Sequence, residues 1–301
     1  MRKTFFERYG VYKKLFYIVP LTTFWFVFSL LPNIHLFYVS FFNWNGVSKE
    51  KIFVGLQNFK EVINDSQIPK VVMNTVLYVL FLLVIQTVFA LVLAYALRKN
   101  TKKNIFFRTL FFSPLVLSTT IVGLTWGYMY DTNLGMINAL LGAAGLKSLQ
   151  QDWLGVVVLS VFCVVMVHIW QNIGYPITMI LAGMTNISHS LREAASVEGA
   201  SEVQIFFHVT LPLLAPTMLR IILLTIVTGA IAFDYVFILS GGGSSTNAQP
   251  FDTMTAYMWR NIFTTYNYGT PAAMSVFLSL TIFCVYIVQF FVTKKVEEKI
   301  Q

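Results

Sequence analysis

Charged side chains are scarce in this sequence: Asp, Glu, Lys and Arg make up 11% of the 301 residues, where an ordinary soluble chain carries roughly a quarter. The scarcity is also uneven. Asn74 to Leu97 holds no ionisable side chain except Tyr78 and Tyr95, whereas Arg98 to Arg108 holds five cations. Together with a hydrophobic content of 56%, this segregation excludes a water-soluble core. It matches a bilayer, in which a charge at a helix centre costs ~2.5–3.5 kcal/mol.

Cysteine is nearly absent. Cys163 and Cys284 each lie inside an apolar run, which excludes a CxxC pair, a disulfide framework and a cysteine metal cluster. His35, His189 and His208 stand apart without metal-ligand spacing, so no metal site is expected. A GxxxxGK(S/T) phosphate loop is also missing, so no ATP site is expected in this chain. The triglycine Gly241-Gly242-Gly243 lacks the Gly-Lys-Ser/Thr that would make it one, and it reads as an outer turn. Neither an HExxH helix nor paired aspartates appear, which removes the usual membrane-embedded enzymes. The net charge of +8 sits in short clusters beside apolar runs, which argues against a nucleic-acid partner.

What the chain does contain is long apolar runs. A helix rises 1.5 Å per residue, so about 20 apolar residues cross a ~30 Å hydrocarbon core with every backbone polar group paired internally. Six segments qualify, approximately residues 15–41, 73–97, 107–130, 156–183, 216–240 and 271–293. The expected fold is therefore all-α, a polytopic membrane protein forming a single domain over residues 1–301. In the fourth segment Asn172, Gly174 and Pro176 interrupt the apolar pattern and predict a kink. The run from Leu15 exceeds the roughly 7–15 residues of a signal-peptide core, so the first helix is expected to be retained.

Lys and Arg favour cytoplasmic loops. With the N-terminus inside, Arg2, Lys3, Arg8, Lys13, Lys14, the Arg98–Arg108 cluster, Arg192, Arg220, Lys294, Lys295 and Lys299 share one face, fifteen cations in all. The other face holds six: Lys49, Lys51, Lys60, Lys70, Lys147 and Arg260. This bias predicts cytoplasmic termini, a cytoplasmic loop over residues 184–215, and outer loops at 42–72, 131–155 and 241–270. Trp44, Tyr128, Tyr130 and Trp153 fall at the predicted outer boundary, where amphipathic rings are favoured.

The loop at 184–215 carries the strongest functional signal. It reads Glu193-Ala194-Ala195-Ser196-Val197-Glu198-Gly199, then Val209-Thr210-Leu211-Pro212 nine residues later. Ser190 and Glu193 have capping-box spacing, so a short helix is expected to begin there. Its small residues would allow close approach by another protein, and Glu193, Glu198 and Glu202 supply acidic contacts. Leu211-Pro212 and Pro216 are expected to end the loop helices and start the next crossing.

This segment resembles the EAA loop of ATP-binding-cassette (ABC) importer permeases, E-A-A, three residues, G, nine residues, I, one residue, L-P. Val209 stands for the isoleucine, and Ser188 stands where related sugar permeases commonly have proline. The resemblance extends along the chain and points to the carbohydrate and glycerol-phosphate subfamily. Ser40-Phe41-Phe42-Asn43-Trp44 is similar to its first outer-loop entrance, and Val54-Gly55-Leu56-Gln57-Asn58-Phe59 to its G-L-D-N-Y element. Phe107 to Pro114 is similar to its third-helix opening. Phe233-Asp234 and Ser240 to Gly243 resemble its F-D and T-G-G-G-P elements, with Ser244 in place of the proline.

The resemblance implies a type I importer permease fold in a prokaryotic plasma membrane and half of a translocation pathway for a sugar-like solute. It also implies a second permease subunit, two ATPase subunits that bind ATP and Mg, and an extracytoplasmic solute-binding protein. Glu193, Ala194, Ala195, Glu198, Gly199, Val209, Leu211 and Pro212 would couple to the ATPase. Within the spans, Asp234, Trp170, Gln171 and Asn172 are candidates for the solute pathway, and helix–helix hydrogen bonding is the alternative for each polar group. A self-contained secondary transporter or channel is the rival. Asp234 is the one Asp or Glu within the proposed spans, which argues against ion coupling and leaves a channel open.

Overall fold

The computed structural model describes residues 16–241 and 251–300. Of the features above, Arg2, Lys3, Arg8, Lys13, Lys14, Leu15, Gly242, Gly243 and Ser244 lie outside the described residues. The chain divides into two compact units, Met1–Asp65 with Asn261–Phe277, and Ser66–Arg260 with Leu278–Gln301.

In the first unit, helix α1 (Phe16–Val39) is apolar on all sides and almost wholly exposed, as a helix surrounded by hydrocarbon would be. A two-stranded antiparallel ribbon follows, pairing β1 (Phe42–Asn43) with β2 (Ile52–Phe53) in the register Phe42↔Phe53. This ribbon is a small departure from the all-α expectation. Gly55, at φ +58°, turns the chain into α2 (Gln57–Asn64). Asn58 is buried there, and its amide donates to the carbonyls of Ser40 at 2.8 Å and Phe42 at 3.0 Å. The G-L-Q-N-F element thus ties the ribbon to α2. Gly269 lies against the same place: a Cβ there would sit 2.1 Å from the Phe42 carbonyl oxygen.

The second unit is a bundle around α3 (Ile68–Ala96), which begins five residues before the sequence expectation, with Pro69 in its first turn. The other elements are α4 (Lys102–Phe112, continued as a 3-10 turn Ser113–Val116), α5 (Thr119–Met129), α6 (Met136–Ala143), α7 (Val157–Asn172) and α8 (Gly174–Thr185). They are followed by α9 (His189–Val197), α10 (Glu202–Leu213), α11 (Ala215–Ala230) and α12 (Asp234–Leu239). Two last helices, α13 (Met254–Thr265) and α14 (Gly269–Ile300), run across the division between the units. Tyr78 and Leu82 of α3, Val161, Val164 and Val165 of α7, Ile177 and Ile180 of α8, and Val236 of α12 form the buried core.

Three expected spans are bent. The third, expected as one helix over 107–130, is Lys102–Val116 followed by Thr119–Met129 at 97°. Leu117 and Ser118 are extended at the corner, beyond Pro114. The carbonyl freed at Leu117 accepts from the Gln171 amide at 2.7 Å, so the break leaves no orphan there. The fourth bends by 52° at Ile173, where the sequence places its kink. A Cβ on Gly174 would come within 2.5 Å of the Phe112 Cα, so glycine permits α8 to start against α4.

The fifth span, expected as one helix over 216–240, stops at Ala230. It turns through Ile231, Ala232 and Phe233 and resumes as α12. The Ala232 carbonyl accepts from the hydroxyls of Thr253 (3.1 Å) and Thr255 (2.6 Å), which satisfy the broken backbone. At the other end, Leu213 and Ala215 mark a 67° corner between α10 and α11, with Pro216 in the first turn of α11 as expected. With each bent pair counted as one span, up to six apolar segments are long enough to cross a membrane.

Candidate coupling loop and intramembrane cavity

The loop at 184–215 forms a bent lever. Its first arm, α9, does begin near Ser190, but not through the expected Ser190–Glu193 capping box. Ser188 occupies the N-cap position, and the Ser190 hydroxyl, already inside the helix, pairs with the Ser188 hydroxyl at 2.7 Å. The capping box in this loop is one arm later. The Ser201 hydroxyl accepts from the Gln204 amide N–H at 3.3 Å, and the Gln204 Oε1 accepts from the Ser201 N–H at 2.8 Å, starting α10.

Between the arms, Gly199 has φ +86°. Its N–H donates to the Ser196 carbonyl and the Ala200 N–H to the Ala195 carbonyl, both at 3.0 Å. These are the two bonds of a Schellman stop, with Gly199 in the left-handed position. Among the described residues nothing lies within 4 Å of a Cβ built on Gly199, so with respect to them the glycine is required by conformation and not by crowding. The acidic and small residues that precede it are presented outward: Glu193, Ala194 and Glu198 are exposed and Ala195 is half-buried. Leu191, Val197, Val203 and Phe207 add exposed apolar surface around them. Val209 and Leu211 are half-buried, and Pro212 is exposed at the corner.

The lever is anchored to α3 through Glu202. Its carboxylate accepts from Arg98 Nη2 at 2.9 Å, and its backbone carbonyl accepts from the Tyr95 hydroxyl at 3.3 Å. Arg98 stacks on the Tyr95 ring at 3.8 Å, and that ring meets Phe206 at 4.4 Å between centroids. Arg108 completes this end of the bundle: its Nε donates to the Leu97 carbonyl at 3.1 Å and its Nη1 to Asn100 Oδ1 at 3.0 Å, closing the C-terminus of α3.

Within the bundle, a cavity of about 240 Å³ is lined by Gln86, His168, Asn172, Tyr175, Thr225 and Thr228, among others. Gln86 is 7% exposed, and its Oε1 has no hydrogen-bond partner among the described residues. An unpaired buried amide oxygen costs ~1–3 kcal/mol unless something polar enters. A polar network runs from the lining residues His168 and Asn172 into the bundle. Tyr78 and His168 pair at 2.8 Å, the Asn172 amide donates to the Tyr235 hydroxyl at 2.9 Å, and that hydroxyl donates to Gln171 Oε1 at 2.7 Å.

Of the four pathway candidates, Asn172 lines this cavity. Gln171 is buried, joining α7 to α12 through Tyr235 and to the corner at Leu117. Trp170 is half-exposed and meets Trp126 edge-on at 5.7 Å, away from the cavity lining. Asp234 is not inside a long helix as the sequence suggested; it is exposed at the first turn of α12, and its Oδ2 accepts from the Thr119 hydroxyl at 3.3 Å. Gln86, Tyr175, Thr225 and Thr228 escaped sequence reasoning, because isolated polar residues in apolar runs carry no spacing signal until helices are packed. The Asp252–Arg260 pair also escaped it. Both side chains are buried, 3.1 Å apart, and Arg260 Nη2 donates to the Ser240 hydroxyl at 2.8 Å, tying α13 to the end of α12.

An all-α membrane protein of bent spans, with a partly orphaned polar cavity inside the bundle, has the architecture of a solute permease. Residues 15–298 match the family described as binding-protein-dependent transport system inner membrane component, and the chain belongs to that family. It is 31% identical over 285 residues to a probable ABC transporter permease protein, YurN, of Bacillus subtilis, covering 93% of this chain and 96% of that one. A multiple sugar-binding transport system permease protein, MsmF, of Streptococcus mutans is also 31% identical, over 94% of this chain and 95% of its own. Among solved structures, a chain of a bacterial alginate ABC transporter, in complex with an alginate pentasaccharide-bound periplasmic protein, shares the fold. The TM-score is 0.79 at 19% identity, covering 98% of each chain. The protein is a permease subunit of an ABC importer.

Proposed function

We propose that this permease carries a sugar or oligosaccharide through a pathway that includes the Gln86–Asn172 cavity, driven by ATPase subunits that grip the lever at Glu193–Gly199. The observation that carries the reading is the lever itself. Its acidic and apolar face is presented outward from α9, while Glu202 fastens its second arm to the end of α3. A body docked on α9 can therefore displace α3 and the helices packed on it.

In this reading the lever and both termini are cytoplasmic, which agrees with fifteen of the 21 cations lying on that face. A second permease completes the pathway, an extracytoplasmic binding protein delivers the solute, and ATP and Mg reside in the ATPase pair. The sugar class rests on the name of the Streptococcus mutans relative and on a cavity whose amide and hydroxyl groups suit a polyhydroxylated solute.

Purification in mild detergent followed by reconstitution tests the reading. The expected result is co-purification with a second permease and an ATPase, and ATP-dependent sugar uptake that requires a binding protein. Transport by this chain alone in liposomes, independent of ATP, would overturn it in favour of a self-contained carrier or channel.

A further inference from the structure

The cavity lined by Gln86, His168 and Asn172 has a fixed hydrogen-bond polarity, set by groups outside it. Tyr78 is fully buried, and its hydroxyl has one partner among the described residues, His168 Nδ1 at 2.8 Å. A buried phenol O–H without an acceptor is costly, so Tyr78 donates and Nδ1 accepts. An imidazole that accepts at one nitrogen carries its proton on the other. His168 Nε2–H is therefore a donor. It has no partner among the described residues and, unlike Gln86 Oε1, it is not sealed from water, although His168 as a whole is 7% exposed and lines the cavity.

Asn172, one helical turn on, has the opposite polarity. Its two amide hydrogens go to the His168 carbonyl at 3.0 Å and the Tyr235 hydroxyl at 2.9 Å. A carbonyl can only accept, so the amide cannot be turned round, and Oδ1 is left as an acceptor. Residues four apart share a helix face, with Cβ atoms about 5–6 Å apart, so α7 offers the cavity a donor and an acceptor side by side. A sugar hydroxyl answers both, accepting from Nε2–H and donating to Oδ1. No Lys, Arg, Asp or Glu is among the described residues of the lining, so a phosphate or carboxylate would lie there without a counter-charge. Resting on the cavity being part of the solute path, as proposed above, we infer that His168 is a specificity-determining donor held by Tyr78 as a positioning residue. With Asn172 it selects an uncharged, hydroxyl-bearing solute.

Two isosteres test His168 in the intact importer. Asparagine places its carboxamide near the position of Nδ1 and can still accept from Tyr78, but leaves nothing at Nε2. Glutamine reaches the position of Nε2 with its amide N–H and forgoes the Tyr78 bond. ATP-driven uptake of radiolabelled maltose, raffinose and glycerol phosphate is measured with each. Uptake of an uncharged sugar should fall about tenfold in His168→Asn, the equivalent of one hydrogen bond, and recover to within about threefold of the natural protein in His168→Gln. A role confined to the Tyr78 bond predicts the reverse order and would overturn the inference, as would uptake of glycerol phosphate. Nitrogen NMR of importer carrying isotope-labelled histidine, with His168 assigned from His168→Asn, needs no solute. The proton is expected on Nε2, and a proton on Nδ1 overturns the polarity. The two readings fail separately. ATP-independent uptake that keeps the Gln-over-Asn order removes the importer mechanism and retains His168, whereas ATP-driven uptake indifferent to both variants retains the importer and removes His168.

Discussion

Arg98 donates to Glu202 at 2.9 Å while lying flat against Tyr95, so one guanidinium joins the end of α3 to the second arm of the lever. The Arg98 side chain is 18% exposed and that of Glu202 65%. A pair this open to water contributes at most about 1 kcal/mol to stability. In the coupling proposed above its part is therefore positional: it would set where a push on the lever reaches α3.

Glu202→Gln and Arg98→Gln should accordingly lower unfolding free energy by under about 1 kcal/mol and leave membrane abundance unchanged, yet reduce ATP-driven uptake. Uptake and ATPase activity, measured on the same vesicles, separate these effects. Full uptake in both variants would remove Arg98–Glu202 from the coupling route.

Gly199 allows a two-level test. Gly199→Ala places a Cβ at φ +86°, which should weaken the Schellman stop by about 1–2 kcal/mol and speed amide exchange at Gly199 and Ala200 without steric conflict inside this chain. Gly199→Arg adds bulk and charge on the face offered to a partner, and is expected to abolish uptake while the protein stays in the membrane. Normal transport and normal ATPase stimulation in that variant would detach the loop from coupling.

Gln86→Leu keeps roughly the side-chain volume and removes the orphaned oxygen, so the unfolding temperature should rise, by an amount equivalent to about 1 kcal/mol. If the cavity lies on the solute path, uptake should fall in the same variant. A stabilised protein with unchanged uptake would place the path elsewhere.

Asp131 Oδ1 accepts from the backbone N–H groups of Leu134 at 2.8 Å and Asn133 at 2.9 Å, just beyond α5. These bonds favour the charged form and lower its pKa below the usual carboxylate value. The folded pKa lies below the unfolded one, so the stabilisation is present above the unfolded value and is lost as pH falls through the folded value. The protection of the Asn133 and Leu134 amides, meaning exchange relative to the intrinsic rate at each pH, should therefore fall on acidification, and Asp131→Ala should remove that pH dependence. An identical acid response in the variant would assign it to another group.

Much of the loop was legible beforehand because its information is local. The helix at α9 follows from its composition, whereas Gly199, read from the sequence as a small residue for close approach, is a glycine for a backbone reason that its φ of +86° reveals. The capping box was misplaced because Ser190–Glu193 and Ser201–Gln204 both fit the pattern, and only the extended backbone at Ser188 decides between them. Span positions were legible as well, since hydrocarbon thickness sets a length that apolar runs either meet or fail. The corners at Leu117 and Ile231 were not. A break there is tolerated only because Gln171 and two threonines, 54 and more than 20 residues away, meet the freed carbonyls.

By itself, then, the sequence determined the solvent, the approximate crossings and the place of the loop with its short helix, because these depend on burial length and local composition. The tertiary structure alone decided that Gln86 and Asn172 share a cavity, that Arg98 meets Glu202 across 104 positions of chain, and that Arg192 is left with an unpaired N–H. Those relationships arise from which helix faces which, and no periodicity in a single chain encodes the angle at which two helices bend.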